Sequence, residues 1–310
     1  MSVDTVEGRV TVIGSVNQDV SFFLERLPLP GETLISHDRL VGIGGKGANQ
    51  AIAAVSQGVS VEFLGAVGND EPGAQALYAL ERRGVSTKGC IVSQSEATGS
   101  AVISVAQKGE NTIIVASGAN ATLQVADVLQ ALENASSSVC LAQLEVPVSV
   151  VEAAAKSFAG TFILNPAPFR DLEALQEVLA HTDVFVPNRA ELAGVVGTAE
   201  PRTIEEVTCT VRKLPFDRSV LVTLGADGVL LFEDSTQSEP VYLAAEKVNA
   251  VDTSGAGDVF CGAFAAGLAR GRSLRNSADH ANRLAGWSVT QRGAQLAENL
   301  PDEFLLSESP

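Results

Sequence analysis

The segment Asp252-Thr-Ser-Gly-Ala-Gly-Asp258 puts a carboxylate where an anion would be bound. Gly255 and Gly257 stand just before an apolar, helix-forming run, Val259-Phe-Cys-Gly-Ala-Phe-Ala-Ala-Gly-Leu-Ala269. At such a loop-to-helix junction, free backbone N–H groups and the helix dipole favour a polyanion. Glycine lets a ligand approach the backbone closely. Asp258 is electrostatically out of place there unless it is needed. A base that takes a proton from a hydroxyl, while adjacent N–H groups hold a phosphoryl group, accounts for both features.

Gly44-Gly-Lys-Gly-Ala-Asn-Gln50 is a second glycine-rich stretch. Widened to Gly42–Gly47 it matches G-x-G-x-x-G, with Glu62 near the spacing of a ribose-binding acid. A dinucleotide site follows its strand directly, however, and the first strand ends at Gly14, long before Gly42. Gly47 stands where a P-loop needs Ser or Thr. What remains is mobile backbone with the amide of Asn49 opening a helix, groups suited to sugar hydroxyls.

Asn17 and Asp19 follow the first strand, and their alternate spacing aims both side chains one way if the chain is extended. An amide and a carboxylate can grip adjacent hydroxyls; equally, Asn and Asp serve local turns. Glu145 ends a strand before Pro147, at the same rim. Asn188 and Glu191 have the spacing of a helix capping box. The alternative is that both face phosphate and a hydrated Mg2+. Thr223-Leu-Gly-Ala-Asp-Gly228 links two strands, as a plain turn or as a nucleotide cradle.

These residues need a frame, and strands alternate with helices along the chain. Strands are expected at Val10–Gly14, Val61–Val67, Val139–Leu144, Thr161–Leu164, Asp183–Val186, Ser219–Thr223 and Gly228–Phe232. Helices are expected at Gly47–Val55, from Pro72 to a stop at Gly84, at Pro147–Phe158, and around 257–270 and 274–291. The rhythm predicts an α/β fold: a doubly wound, mostly parallel sheet flanked by helices, with ligands beyond the strand C-termini. Two stretches break it. One, roughly Val20 to Val41, holds Pro28, Pro30 and Gly31; the other, Gly99–Val115, reads as a hairpin turning at Lys108–Asn111. Paired, they make a small antiparallel β lid over the site; unpaired, they are surface hairpins. One domain over 1–310 results, with the lid inserted at about 20–42 and 98–114.

With 45% hydrophobic and 5% aromatic residues in 310, the core must be Val, Leu, Ile and Ala, which suits a buried parallel sheet. The formal charge, 21 − 37 = −16, argues against nucleic acid and acidic membranes as partners. Cys90, Cys140, Cys209 and Cys261 are scattered without a C-x-x-C pair, as are His37, His181 and His280. Reduced thiols in a cytoplasmic protein are expected, with no disulfide framework or zinc site. The start, Met1-Ser-Val-Asp-Thr-Val-Glu7, lacks a signal-peptide pattern, and the matches to Asn-x-Ser/Thr at Asn120 and Asn134 read as chance.

The chain resembles the ribokinase-like sugar kinases of the PfkB family. The motifs that carry the resemblance are Gly44–Ala51 and Val251–Phe260. Between and beyond them lie Gly14-Ser-Val-Asn-Gln-Asp19, Ser117-Gly-Ala-Asn-Ala121, Gln143-Leu-Glu145, Leu164-Asn-Pro-Ala-Pro168 and Arg292-Gly-Ala-Gln295. The likeness implies ATP-dependent phosphorylation of a sugar's primary hydroxyl, giving ribose 5-phosphate if the sugar is ribose. It implies Asp258 as base and Gly255, Ala256 and Gly257 as anion hole. Asn17, Asp19, Gly44, Gly45, Lys46, Asn49 and Glu145 fall on sugar positions; Asn188, Glu191, Thr223, Gly225, Gly228, Gly257 and Asn282 fall on nucleotide or Mg2+ positions. A monovalent cation, usually K+, is implied at Asp252, Ser254, Ser288, Gln291, Gly293 and Ala297, mostly through carbonyls. Ala297 stands where a serine is common, and Leu296 replaces a common proline. A homodimer through the lid is implied as well. Rival readings are a PfkB-type kinase for deoxyribose, a ketohexose or a nucleoside, a dinucleotide-dependent oxidoreductase, and a catalytically inactive sugar-binding protein.

Overall fold

The computed structural model describes residues 8–107, 110–169 and 173–306. The start at 1–7 and the turn residues Lys108 and Gly109 lie outside the described residues. The first half holds strands β1 (Arg9–Ile13), β2 (Asn17–Leu24), β3 (Asp38–Gly44), β4 (Ser60–Leu64), β5 (Ala66–Gly68), β6 (Val85–Ser86), β7 (Ile91–Ser93), β8 (Gly99–Ala106) and β9 (Asn111–Ala116). Then come β10 (Val139–Ala142), β11 (Thr161–Leu164), β12 (Val184–Phe185), β13 (Ser219–Thr223), β14 (Val229–Phe232) and β15 (Val241–Leu243). The helices are α1 (Lys46–Val55), α2 (Glu71–Arg82), α3 (Val125–Glu133), α4 (Val148–Ser157), α5 (Gln176–Ala180), α6 (Arg189–Val196), α7 (Ile204–Val211), α8 (Ala256–Ala269) and α9 (Leu274–Ser288).

Among the described residues the large sheet has nine strands in the order β15-β14-β13-β12-β11-β10-β1-β4-β6. It is parallel except where β14 and β15 add antiparallel at one edge. Side chains alternate across it. Val10, Val12, Val139 and Leu141 pack under α1, α8 and α9, around Phe63, Phe260 and Phe264. Ile13, Cys140 and Ala142 face α3, α4 and α6, around Phe162, Phe185 and Phe232. Burial on both faces explains why these strands are almost continuously apolar.

A separate four-stranded sheet runs β3-β2-β8-β9. Its outer pairs are antiparallel and its central pair, β2 with β8, is parallel. β9 is exposed along its whole length.

Several boundaries differ from the sequence expectation, each for a local reason. The strand expected at Val61–Val67 breaks at Gly65, where an added Cβ would lie 2.6 Å from the carbonyl of Gly14. β5 then pairs with β7 in its own two-stranded sheet. β10 stops at Ala142 because Leu144 N–H turns to the carbonyl of Ala167. α9 ends at Ser288, and the carbonyl of Val289 accepts N–H groups from Val251 and Asp252. No helix among the described residues is long and apolar enough to cross a membrane.

Candidate functional site

α8 begins at a left-handed N-cap, Gly255, with φ 71°. A Cβ there would sit 2.1 Å from the carbonyl of Ala294, so only glycine fits. Ala256 and Gly257 form the first turn, whose N–H groups have no intrahelical partners. A Cβ on Gly257 would meet no atom within 4 Å: the helix mouth opens onto empty space there. Asp258 is next and is 6% exposed. Asn49 Nδ2 donates to its Oδ2 at 3.2 Å and Gln50 Nε2 to its Oδ1 at 3.1 Å. Burial raises its pKa, opposed by the charge of Lys46 and by the two amide donors.

α1 opens opposite, behind Gly44 at the end of β3. Its N-cap Gly45 has φ 90°, and a Cβ there would lie 2.8 Å from Val16 Cα. A Cβ on Gly47 would lie 2.7 Å from the carbonyl carbon of Gly14, and one on Gly44 would overlap the carboxylate of Asp19. These glycines let the helix start press against the 14–19 backbone. Lys46 is held cationic above its ordinary pKa, chiefly by Asp258, with Glu145 and Glu191 adding to that against burial. Glu145 accepts from Ser15 Oγ and, at 3.2 Å, from Lys46 N–H.

Asn17 and Asp19 lie on β2, two apart in an extended strand, so their side chains share a face. Burial, then Glu145, then Asp258, push the Asp19 carboxyl up to about 7. Its Oδ1 is buried and, among the described residues, has no hydrogen-bond partner. Asn17, Asp19, Gly44–Asn49, Glu145 and Asp258 therefore converge. The result is a half-buried wall of acceptors and amides facing a helix mouth, suited to a polyol with one hydroxyl near Asp258.

Asn188 and Glu191 form a full capping box on α6: Asn188 Oδ1 accepts Glu191 N–H at 2.8 Å, and Glu191 Oε2 accepts Asn188 N–H at 2.9 Å. The local reading of this pair is thus realised. Glu191 also faces inward: burial raises its pKa, and it lies within electrostatic range of Lys46 and Asp258. Thr223 bridges to Asn188 at the end of β13. Gly225 and Gly228 turn the chain with φ 62° and 105°, and the turn is braced by Arg189 on Asp227 at 2.8 Å. Asn282 spends its amide nitrogen on the carbonyl of Ala244, at 2.9 Å.

Asp252 Oδ1 accepts Ser254 N–H and its Oδ2 accepts Gly293 N–H, each at 2.9 Å. Burial pulls its pKa up, but these donors hold it below the ordinary value. Ser288 Oγ is engaged by Ala285, the Ser288 carbonyl accepts Gln291 N–H at 3.0 Å, and Ala297 contributes no hydroxyl. Among the described residues no group of three or more His, Cys, Asp or Glu is placed to hold a metal. One fixed carboxylate with backbone carbonyls is an all-oxygen set, which fits a hard cation better than a transition metal.

The sequence reading left three buried amides without assigned roles. Gln143 Nε2 donates to Gln50 Oε1 at 2.6 Å, and Gln50 donates to Asn165 Oδ1 at 3.2 Å. Asn165 Nδ2 donates to the carbonyl of Val186 at 2.9 Å. The Val186 carbonyl thus fixes Asn165, which fixes Gln50, which aims a donor at Asp258. The motifs Gln143-Leu-Glu145 and Leu164-Asn-Pro-Ala-Pro168 were the available signal. A hollow of about 770 Å³ elsewhere, lined by Thr198, Arg202, Cys209 and Lys213, contains none of these residues. It is a shallow surface feature without convergent chemistry, and the strand-end cluster is the better candidate.

The chain matches the family model described as pfkB family carbohydrate kinase over residues 7–301. It is 36% identical over 293 residues to a ribokinase of Haemophilus influenzae, covering 92% of this chain and 94% of the relative. It is 34% identical over 303 residues to a deoxyribokinase of Salmonella typhi, covering 95% and 97%. Among solved structures, the Arabidopsis thaliana ribokinase complexed with ribose and ATP superposes with a TM-score of 0.82 at 30% identity, covering 93% of this chain and 94% of that one.

Proposed function

The chain belongs to the pfkB family of carbohydrate kinases, and from that premise we propose that it is an ATP-dependent ribokinase, converting ribose and ATP to ribose 5-phosphate and ADP. The observation that carries this reading is the buried Asp258 at an open helix mouth, within electrostatic range of Asp19, whose Oδ1 lacks a partner among the described residues. The Arabidopsis thaliana ribokinase complexed with ribose and ATP supports the choice of substrates.

The sugar lies between Asn17, Asp19 and the Gly44–Asn49 loop, with Glu145 behind it. ATP runs along Thr223–Gly228 past Asn188 and Asn282, its γ-phosphoryl toward Gly255–Gly257. The small sheet acts as a lid and excludes water. The sugar's primary hydroxyl oxygen forms the new bond to the γ-phosphorus as the bond to ADP breaks, and its proton passes to Asp258. Asn49 and Gln50 keep that carboxylate aimed and available as a base. N–H groups of the α8 mouth take up charge on the transferring group. Alignment of the hydroxyl in line with phosphorus supplies much of the rate.

Mg2+ would be held with the phosphates near Asn188 and Glu191 and would supply charge neutralisation there. K+ would be held by Asp252 with carbonyls from Ser254, Ser288, Gln291, Gly293 and Ala297 and would supply positive charge beside the anion site. The outer strand of the lid, with Ile113 56% and Ile114 72% exposed, is the surface for a homodimer. The setting is a reducing cytoplasm.

The test is ADP release with a panel of pentoses, 2-deoxyribose, ketohexoses and nucleosides, with and without K+. Ribose should give the highest kcat/KM. Preference for 2-deoxyribose would move the chain to the deoxyribokinase reading that the Salmonella typhi relative represents; no turnover of any sugar would remove the kinase reading.

A further inference from the structure

We propose that Asn120 is a positioning residue that sets the polarity of Asn17 toward the sugar; the inference rests on the sugar-site reading above. Asn120 lies in the single 3-10 turn Gly118–Thr122 that follows β9, and is 1% exposed. Its Oδ1 accepts Val16 N–H at 3.0 Å, and its Nδ2 donates to the Val16 carbonyl at 3.1 Å. Reversing the amide would set donor against donor and acceptor against acceptor. The Val16 backbone therefore permits one orientation, and a buried mismatch there is costly. The second N–H of Asn120 donates to Asn17 Oδ1 at 2.8 Å.

Asn17 thus spends its acceptor on the protein and keeps its Nδ2 for a ligand. Asp19, on the same face of β2, carries no nitrogen donor and, once ionised, offers only acceptor oxygens. The wall presents a donor at position 17 and an acceptor at position 19, and so reads the sense of two hydroxyls as well as their spacing. Space for the amide pair depends on Gly99, which pairs with Asn17 across β2 and β8. A Cβ on Gly99 would lie 2.3 Å from both Asn120 Nδ2 and Asn17 Oδ1. A site built this way discriminates strongly against a sugar lacking the hydroxyl that Asn17 meets.

The experiment is a double-mutant cycle. Asn120→Asp keeps the shape and the acceptor for Val16 N–H, but replaces the donating nitrogen by oxygen and turns Asn17 over. With the sugar that the wild-type enzyme turns over best, sugar KM should rise at least about tenfold, the scale of an unpaired buried donor. KM for ATP and kcat should stay within about twofold. In an Asn17→Ala background the same substitution should move sugar KM by less than about twofold, because no amide remains to turn. Equal effects in both backgrounds, or an unchanged sugar KM in Asn120→Asp, overturn the proposal. If Asn120→Asp does not fold, Gly99→Ala crowds the same amide pair and is read by the same cycle. If the wild-type protein binds the sugar without turning it over, the kinase reading falls, while the cycle read as Kd by calorimetry still decides the role of Asn120.

Discussion

At the start of α1 the glycines are filled by protein, whereas at the start of α8 one of them faces open space. The two helices pack together and meet through Asn49 and Asp258. Both begin with a left-handed or otherwise glycine-only N-cap. Yet Gly45 and Gly47 lie against the backbone of Val16 and Gly14, while Gly257 lies against nothing. One glycine-rich turn exists so that the chain can fold tightly on itself and bring Asn17 and Asp19 to the rim. The other leaves open space at Gly257, where we propose a phosphoryl group comes close. A gap that a ligand needs and a gap that a neighbouring strand needs look the same in sequence.

The sharpest way to break this contrast is at Asp258. Asp258→Asn keeps the shape and one of the two amide contacts, from Asn49 or from Gln50, but removes the proposed base at the open helix mouth. We expect a loss of at least about 10²-fold in kcat, with sugar binding by calorimetry largely kept. Turnover near wild type would take Asp258 out of the proton transfer and leave α8 as a phosphate site only.

The same substitution at two glycines then separates the two helix starts. Gly47→Ala forces a methyl into backbone 2.7 Å away, and neither side can yield. It should destabilise the fold by about 1–3 kcal/mol or more, as overpacking does, read as the urea midpoint. Gly257→Ala meets no atom and gains helix propensity, so stability should hold or rise by about 0.5–1 kcal/mol. Its methyl would instead occupy the space assigned to the γ-phosphoryl, and kcat/KM for ATP should fall about tenfold through misplacement of the transferring group. If Gly257→Ala unfolds the protein, or Gly47→Ala leaves it as stable as wild type, the distinction drawn above fails.

How far the sequence was readable follows from the range of the forces involved. Local signals were clear: Pro72 lies in the first turn of α2, Gly84 turns the chain after it with φ 89°, and the Asn188–Glu191 box caps α6. Short continuous apolar runs gave β11 and β13 to the residue. Motif resemblance gathered the strand-end residues that the structure brings together. The long-range amides were not readable. Gln50 meets Gln143 and Asn165, and Asn120 meets Asn17, across sequence gaps of 93, 115 and 103 residues. Spacing encodes nothing about such partners, and an Asn or Gln in a helix or turn carries no periodic signature. The stretch from Val20 to Val41 looked irregular because its strands are half exposed in a small sheet, so the apolar alternation is weak.

The last contrast lies between the two carboxylates themselves, Asp19 on the α1 side and Asp258 on the α8 side. Asp19 is raised from 3.8 to about 7, mainly by burial and then by Glu145 and Asp258. In the folded, unliganded protein it keeps its proton to near neutrality, while the unfolded chain releases it near 3.8. The folded state is therefore favoured most below that pH, and this advantage is lost as pH rises through about 7. Asp19→Asn should accordingly raise the Tm at pH 8 and change it little at pH 4. Sugar hydroxyls donate best to the ionised carboxylate, so kcat/KM for the sugar should decline as pH falls from about 8 to about 6, by a few-fold. Asp19→Asn should flatten that decline. A slope that survives the substitution belongs to another carboxyl of the site, and burial raises the pKa of both Asp258 and Glu191. That outcome would take the titrating group off Asp19 and away from the packed α1 side.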